Sequence, residues 1–563
     1  MKKGFIPYIY IAFFLFNAGS IIGQKLLLKI SPKDSLNTIF VHSIKYQKIH
    51  DTEITLFQSI DSVKNQIALN GFINSTLDTI VKIDSIYNVQ FSLGNLSNSV
   101  KIFYDEKNIS AAQLKKINLS ATDQYFIVET KKLSRRLDQI VGLFENQGNA
   151  FTQVSLKNIR IHRDTIEAFL HIKESNARKI DKVIINGYPD FPTSYLKHYF
   201  KLSNNTIFSR KKLDRISANI KNLSFVKEIK PPEVLFTADS TMVYLYLKKK
   251  ESNKFDGLIG FTSKENGNGI QFNGYLDLSL NNVFHSGESI AFYWKNNGDE
   301  RQVFNLKTSL PYIFNSKLSP KAELNIYKQD SSFINTNLRF YLPYALNERN
   351  NIGISFQSLS SSDLLTNNAG TEILAFKNIF YGLNYNYQIP NPNNLFSSKF
   401  NLYSEILRGN RKIEDHSTTQ SKLYVRTNYL WSLNYRNHIF IQNESSTLLS
   451  NDKLLNNELF RIGGSNSMRG FNEESILASS FSYFNLEYRV LTDNTSYIYT
   501  ITDAGYIDNN IIDKDSKIYA IGVGYAFSTK FGFLDLSYAL GGIANEPFNL
   551  DNSRFHLKII SFF

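Results

Sequence analysis

The chain has 563 residues, more than one ordinary domain holds. Hydrophobic residues make up 42%, which excludes a wholly disordered chain, and the absence of cysteine excludes disulfides, thiol catalysis and cysteine-bound zinc. The net charge of +13 is spread along the chain and forms no single stripe, so we expect no nucleic-acid partner. Such a balance suits anionic lipid headgroups and the phosphates of lipopolysaccharide.

Residues 1–23 have the organisation of a secretory signal peptide. Lys2 and Lys3 precede an apolar stretch from Phe5 to Phe16, and small residues follow. We expect cleavage after Ser20 or before Gln24. The alternative is an uncleaved anchor, but the apolar stretch is short for a bilayer span of about 20 residues. Later segments are shorter still, so further membrane insertion would have to use strands.

Residues 24–250 alternate between helical and strand-like patterns, which predicts small α+β modules. The clearest is residues 176–250, in the order strand, helix, helix, strand, strand, predicted at 183–187, 195–200, 213–223, 234–236 and 243–247. Residues 116–175 repeat the theme, and residues 24–115 contain a weaker copy. Any small α+β domain could show this pattern.

Residues 251–563 are almost entirely strand-like. Segments of roughly ten residues alternate apolar and polar, as tilted membrane-spanning strands do. Clear examples lie at 272–280, 289–294, 337–342, 400–406, 424–431, 481–490, 519–527 and 533–540. We count about sixteen, an even number as bacterial barrels require. A soluble β-sandwich is the alternative, although the region is long for one.

The connections between these segments differ in length. A short turn at 296–299 contrasts with a long polar loop at 360–370. Because such barrels have short periplasmic turns and longer external loops, we expect the two connections at opposite ends. The predicted fold is mixed, with N-terminal α+β modules followed by a transmembrane antiparallel β-barrel of about 16 strands.

The predicted loop from about residue 450 to 478 is the longest between barrel strands, and long loops are usually functional or disordered. It contains an Arg-Gly-Phe tripeptide after a Gly-Gly pair, formed by Arg469, Gly470 and Phe471 after Gly463 and Gly464. The stretch from Thr502 to Gly505, with Asp503, follows on the next strand but one.

With these motifs the chain resembles the POTRA-containing superfamily of outer-membrane insertases. That superfamily includes the core subunit of the barrel assembly machinery, the barrel subunit of the translocation and assembly module, bacterial surface antigen proteins and two-partner secretion transporters. The resemblance implies POTRA modules, a sixteen-strand barrel, and a sixth external loop that folds into the lumen with an Arg-Gly-Phe tip. It also implies that Arg469 docks on Asp503, with Gly505 giving room on the inner wall. Ile501 departs from the aromatic or glycine that opens the family's wall motif.

Elementary electrostatics supports this docking. A guanidinium is costly to bury without a partner, and a carboxylate matches its geometry with two hydrogen bonds. A glycine at position 470 allows close approach to the wall. A solvated arginine on a mobile loop is the alternative.

The last predicted strand has an alternating pattern. One face is polar, and the other would meet lipid through Phe555, Leu557, Ile559 and Phe563. The terminal aromatic resembles the signal by which the assembly machinery recognises its clients. A soluble edge strand could alternate in the same way.

The sequence predicts no enzyme, cofactor or metal site. The stretch Gly463 to Ser467 approaches a nucleophile elbow, but it ends in serine and lacks the strand-to-helix context. Neither a phosphate-binding loop nor a His-Glu-x-x-His motif occurs.

The resemblance implies a protein that assembles, inserts or translocates polypeptides at the bacterial outer membrane, with its POTRA modules in the periplasm. Its expected partners are outer-membrane lipid, lipopolysaccharide, unfolded outer-membrane or secreted clients, and periplasmic accessory subunits. The alternatives are a two-partner secretion transporter for one exoprotein, a passive porin or receptor barrel, and an adhesin or structural surface protein.

Overall fold

The structure, a computed structural model, describes most of the chain in two units. The described residues are 25–33, 38–162, 165–263, 270–297, 301–365, 373–391, 395–396, 398–529, 532–547 and 553–561. The predicted signal peptide, Phe563 and the side chain of Ile559 lie outside them. One unit comprises residues 1–178 with 207–211, and the other comprises residues 179–206 with 212–563.

None of the helices in the described ranges is both long and apolar enough to cross a bilayer.

The first small sheet has the strand order β2-β1-β4-β3. Its elements are β1 (Leu26–Pro32), α1 (Thr38–Ser43), β2 (Ile49–His50), α2 (Glu53–Leu69), β3 (Thr76–Ile83) and β4 (Ile86–Ser92). Thr52 caps α2 by accepting a hydrogen bond from the Thr55 backbone N–H. The buried face of α2 repeats every three or four residues and joins a core with strand residues, so amphipathic periodicity builds this unit.

The second small sheet has the order β6-β5-β8-β7. Its elements are β5 (Ser99–Phe103), α3 (Ala111–Lys115), β6 (Tyr125–Glu129), α4 (Leu133–Asn146), β7 (Gln153–His162) and β8 (Thr165–Lys173). β5 pairs with β6 and β8, so this sheet includes residues before the expected module boundary at 115/116. The sequence pattern missed this because β5 meets β6 only after α3, and it meets β8 only after two helices and two strands.

A third sheet, in the other unit, has the order β10-β13-β12. The elements of this region are β9 (Lys179–Ile180), β10 (Lys182–Asn186), α5 (Thr193–His198), β11 (Thr206–Ile207), α6 (Arg210–Ile220), β12 (Val226–Phe236) and β13 (Thr241–Lys249). Leu213, Ile216 and Ile220 of α6 are buried, at helical spacing. Alternate residues of β13 are buried as well, as in a strand with one face toward a core.

Among the described residues from 254 onward, sixteen strands form one antiparallel sheet, with each strand paired to the next barrel strand in sequence. The strands are β14 (Lys254–Ser263), β15 (Ile270–Asn281), β16 (Ser289–Asn297), β17 (Arg301–Ser309), β18 (Lys321–Gln329), β19 (Phe333–Ala345), β20 (Asn350–Asp363), β21 (Phe376–Pro390), β22 (Ser398–Ile413), β23 (His416–Ser432), β24 (Asn437–Ser450), β27 (Ser480–Leu491), β28 (Ser496–Asn509), β29 (Lys514–Ser528), β30 (Gly532–Ile543) and β31 (Ser553–Ser561). The predicted fold class and strand number are confirmed.

The alternation within these strands is the reverse of that in a soluble protein. On β22 the inward Glu405 and Arg411 are buried, whereas the outward Ile406 is 59% exposed. On β31 the outward Phe555 and Leu557 are also exposed. An apolar outer surface around a polar interior fits a sheet surrounded by lipid.

The two edge strands of the sheet meet without a ladder. β14 and β31 stand at opposite ends of the strand order, and Cα atoms of the two strands approach within 8 Å. Within the described residues no hydrogen-bonded register joins them, whereas every other neighbouring pair has one. We call this junction the seam.

Consecutive connections alternate between the two ends of the sheet. β16 and β20, the third and seventh strands, therefore end at the same end of the sheet, and the connections that follow them begin there. The expectation that the turn at 296–299 and the loop at 360–370 lie at opposite ends was wrong. Strand parity decides the end of a barrel at which a connection lies, and length does not.

Candidate functional site in the lumen loop

The long loop joins the eleventh and twelfth strands of the barrel, β24 and β27, and is the sixth loop on its side. Its two arms form a short hairpin of their own, β25 (Phe460–Ile462) paired with β26 (Ile476–Ala478). The turn between these arms carries the Arg-Gly-Phe tripeptide. The hairpin presents that turn as a defined element.

Arg469, at this turn, is buried against the inner wall and only 6% exposed. Its Nε atom donates to Asp503 Oδ2 at 2.9 Å, and its Nη2 atom donates to Asp503 Oδ1 at 2.5 Å. The Arg469 backbone N–H also donates to Asp503 Oδ2, at 3.1 Å. The structure thus brings the two predicted residues together in a bidentate pair, reinforced by a main-chain bond.

A second carboxylate, on β27, completes the environment of Arg469. Glu487 accepts a hydrogen bond from Arg469 Nη1, and its other oxygen accepts one from Arg489 Nε at 2.8 Å. The Arg489 guanidinium lies 4.0 Å from the centroid of the Phe440 ring. Asp503, Arg469, Glu487 and Arg489 therefore alternate in charge along the wall.

This charge order keeps Arg469 cationic. Burial by itself disfavours the guanidinium cation, but the hydrogen bond with Asp503 and the charge of Glu487 outweigh it and raise the pKa of Arg469. Each buried charge has a partner of opposite sign, so the cluster is compatible with a low-dielectric setting.

The turn fits the wall because two glycines face each other. Gly470 has φ +88°, and a Cβ there would lie 2.4 Å from the backbone nitrogen of Gly541 on β30. A Cβ on Gly541 would lie 2.6 Å from the carbonyl oxygen of Gly470 and 2.9 Å from the Phe471 ring. Only glycine fits this close contact at both positions.

The Gly-Gly pair shapes the entry to the turn. Gly463 and Gly464 have φ of +113° and +98°. The Gly463 N–H donates to Ser467 Oγ at 2.8 Å, and the Gly464 N–H donates to the Met468 carbonyl at 3.1 Å. These bonds close the chain on itself before Arg469, so the pair supports the turn and does not touch the wall motif.

Other predicted positions have different surroundings. Gly505 makes room for a neighbouring wall residue, since a Cβ there would lie 2.9 Å from Tyr483 Cβ. Ile501 is buried in a cluster with Tyr497 and Tyr499. Phe471 is partly buried against the cluster that contains Met468.

A further anchor of the loop was missed by the sequence analysis. Glu458 forms a buried ion pair with Arg411, with 2.5 Å between Nη1 and Oε2 and side chains 1% and 3% exposed. Gln420 Nε2 donates to the other oxygen of Glu458 at 3.0 Å. Asn457 Nδ2 donates to Ser361 Oγ at 2.7 Å. These contacts join the loop to strands that are far away in sequence, so no local sequence pattern predicts them.

The fold and this loop place the protein in one structural class. Its members combine small α+β modules with a β-barrel that has an inward-folded loop. Residues 315–528 match the family model described as haemolysin secretion/activation protein ShlB/FhaC/HecB, less than half of the chain. No curated protein matches the sequence significantly.

Solved structures share the fold at low sequence identity. The chain is similar to CdiB from Acinetobacter baumannii and to CdiB from Escherichia coli, each at 13% identity and a TM-score of 0.51, over 91% of this chain and 98% of the other. BamA from Haemophilus ducreyi lacking POTRA domains 1–3 matches at 13% identity and a TM-score of 0.48, over 82% of this chain and 99% of that one.

Residues 315–528 thus resemble haemolysin secretion/activation proteins, and the chain shares its fold with the two CdiB structures. Both findings agree with the resemblance that the sequence motifs indicated, over the matched residues and at the level of fold.

Proposed function

We propose that this protein moves polypeptides into or across the outer membrane, as an assembly and insertion factor or a translocator. The observation that carries the proposal is the lumen loop held to the wall by Arg469, Asp503 and Glu487. A loop that occupies the lumen and is fixed there by a buried arginine obstructs passive flow, which favours a role other than an open pore. A polypeptide handler needs a movable element with a defined resting position.

The seam supplies a route for a client strand. β14 and β31 are edge strands that face each other without a shared ladder. Unpaired edge groups can pair with an added strand, and such β-augmentation requires little sequence specificity. β3 is an edge strand of the first small sheet, with exposed Ile80 and Val81, and could receive an extended client in the same way.

The proposal includes a location and partners. The apolar outer face of the barrel would contact outer-membrane lipid, and the basic balance of the chain would suit lipopolysaccharide. The small modules would lie in the periplasm and receive unfolded clients, with accessory subunits. No cofactor or metal enters this scheme.

A second candidate is secretion of one dedicated exoprotein. The match of residues 315–528 to a family described as haemolysin secretion/activation favours it. The two candidates share the barrel, the loop and the modules, and they differ only in the breadth of clients.

Depletion of the protein followed by quantitative proteomics separates the candidates. A general assembly factor lowers the levels of many outer-membrane barrels, whereas a dedicated transporter removes one secreted product and leaves the barrels intact. Complementation with the wild type must restore the profile, and complementation with Arg469→Ala must not. Unchanged outer-membrane and secreted proteomes after depletion would contradict both candidates.

A further inference from the structure

We propose that residues Asn472–Glu474 form a clasp that closes the seam from inside, with Arg301 as its positioning residue. The clasp joins the loop to the fourth strand on one side of the seam and to the last strand on the other. Its displacement would therefore be coupled to opening. The idea rests on the proposed function only in assuming that the seam opens for a client.

The loop reaches the C-terminal side of the seam through two asparagines. Arg554 of β31 donates from Nε to Asn472 Oδ1 at 2.7 Å. Nearby, Lys558 Nζ donates to Asn466 Oδ1 at 3.4 Å. The Gly470 contact with Gly541 adds the neighbouring strand β30. The turn is thus bound to the last two strands.

The next two residues reach the N-terminal side. Arg301 of β17 donates from Nη1 to the Glu473 carbonyl at 3.0 Å and forms an ion pair with Glu474 Oε2 at 3.4 Å. On the first arm of the loop hairpin, the Arg461 guanidinium lies 5.0 Å from the Tyr327 ring centroid on β18. The loop therefore contacts the fourth and fifth strands, on the N-terminal side of the seam, from within.

The backbone of the clasp is strained at the residue that meets Arg301. Glu474 has φ +53°, a left-handed conformation that side-chain-bearing residues rarely adopt. Such conformations persist where surrounding contacts enforce them, and they concentrate at switch regions. The contacts of Arg301 with Glu473 and Glu474 hold this conformation. Once they break, the backbone strain at Glu474 favours release of the clasp.

The clasp matters because the seam lacks the bonds that hold other neighbouring strands. The β16–β17 pair, for comparison, keeps continuous register from Ser289↔Ser309 to Asn296↔Gln302. With no such register between β14 and β31 in the described residues, the loop contacts supply polar links between the two sides of the junction. Removing them should expose both edges together.

Hydrogen exchange of the full-length protein in lipid nanodiscs tests this. In Arg301→Ala, backbone amides of β14 and β31 should exchange about tenfold faster than in the wild type, which corresponds to about 1.4 kcal/mol. Asn472→Ala should accelerate the same two strands. The matched control is Arg426→Ala, which removes another lumen arginine, one whose partners are Glu444 and Gln442 on the neighbouring strand.

The readout is local, so the inference can fail while the proposed function stands. Wild-type exchange at both edges in Arg301→Ala and Asn472→Ala would overturn it, as would equal acceleration in Arg426→Ala. If Arg301→Ala does not assemble, Arg301→Lys keeps the charge but not the planar donor geometry, and acceleration of two- to threefold is expected. Arg301→Lys at the wild-type rate would then count against the clasp.

Discussion

Replacement of Arg469 by alanine is the sharpest perturbation of the lumen loop. The change leaves Asp503, with a side chain 0% exposed, without a guanidinium, and it leaves Glu487, with a side chain 8% exposed, paired with Arg489 alone. Breaking a buried pair by removing one partner costs about 3–5 kcal/mol. Each factor of ten in an equilibrium constant corresponds to about 1.4 kcal/mol, so the equilibrium constant for undocking of the loop should rise on the order of a hundredfold to several thousandfold.

Asp503→Asn should cost less, on the order of 1–3 kcal/mol, because the amide oxygen still accepts and Glu487 still pairs with Arg469. The double variant should not show the sum of the two effects. Groups in direct contact typically couple by about 0.5–3 kcal/mol. Part of the Asp503→Asn effect should therefore vanish once Arg469 is alanine.

Exchange of the loop amides measures these effects directly. The Gly463 and Gly464 N–H groups are hydrogen-bonded in the docked turn, so their exchange reports on the turn itself. Arg349→Ala, which removes an exposed arginine on a turn between strands, is the matched control. Strict additivity in the double variant would refute the pairing, and so would Arg469→Ala exchanging at the rate of the control.

Three further perturbations test other parts of the structure. Gly470→Ala should undock the turn, because residue 470 has φ +88° and its Cβ would lie 2.4 Å from the backbone nitrogen of Gly541. Faster hydrogen exchange confined to the loop is expected, and an unchanged exchange rate in the loop would contradict the close contact between these two positions. Arg411→Met should lower the temperature at which the barrel unfolds in gel-shift assays, because Glu458 would remain buried without its cation at a cost of about 3–5 kcal/mol. The double variant with Glu458→Leu should recover most of the lost stability. Leu213→Ala should destabilise the module at residues 179–249 by about 2–5 kcal/mol and raise its protease sensitivity, because it removes a buried side chain. The unfolding temperature of the barrel should stay the same, and a shift in it would show that module and barrel do not unfold separately.

The charge cluster around Arg469 is better suited to specifying a position than to adding stability. A buried ion pair often contributes little net free energy relative to apolar residues of similar size, but it strongly penalises mispairing. With two acceptors on adjacent strands, β27 and β28, the arginine has one site where all its bonds form. This favours a loop with a single resting place from which it can be released.

Local sequence patterns predicted the strands and helices because burial alternates with a short period. The alternation at 424–431 and 533–540 falls within β23 and β30, and the apolar spacing from Leu213 onward falls within α6. The count of about sixteen strands rests on the same signal, which each strand carries independently of its partners. The pairing of Arg469 with Asp503 came from the family motif, since periodicity alone cannot link positions 34 residues apart.

Tertiary structure decided which distant residues meet. Glu487 lies in a stretch that the sequence analysis had not assigned to Arg469, and Gly541, Arg411 and Arg301 gave no local sign that they would contact the loop. Likewise, β5 joined the second small sheet across an expected boundary. Periodicity indicates which face of a strand is buried. The residue that lies opposite it across the lumen depends on the registers of all the intervening strands, and those registers are set only in the folded chain.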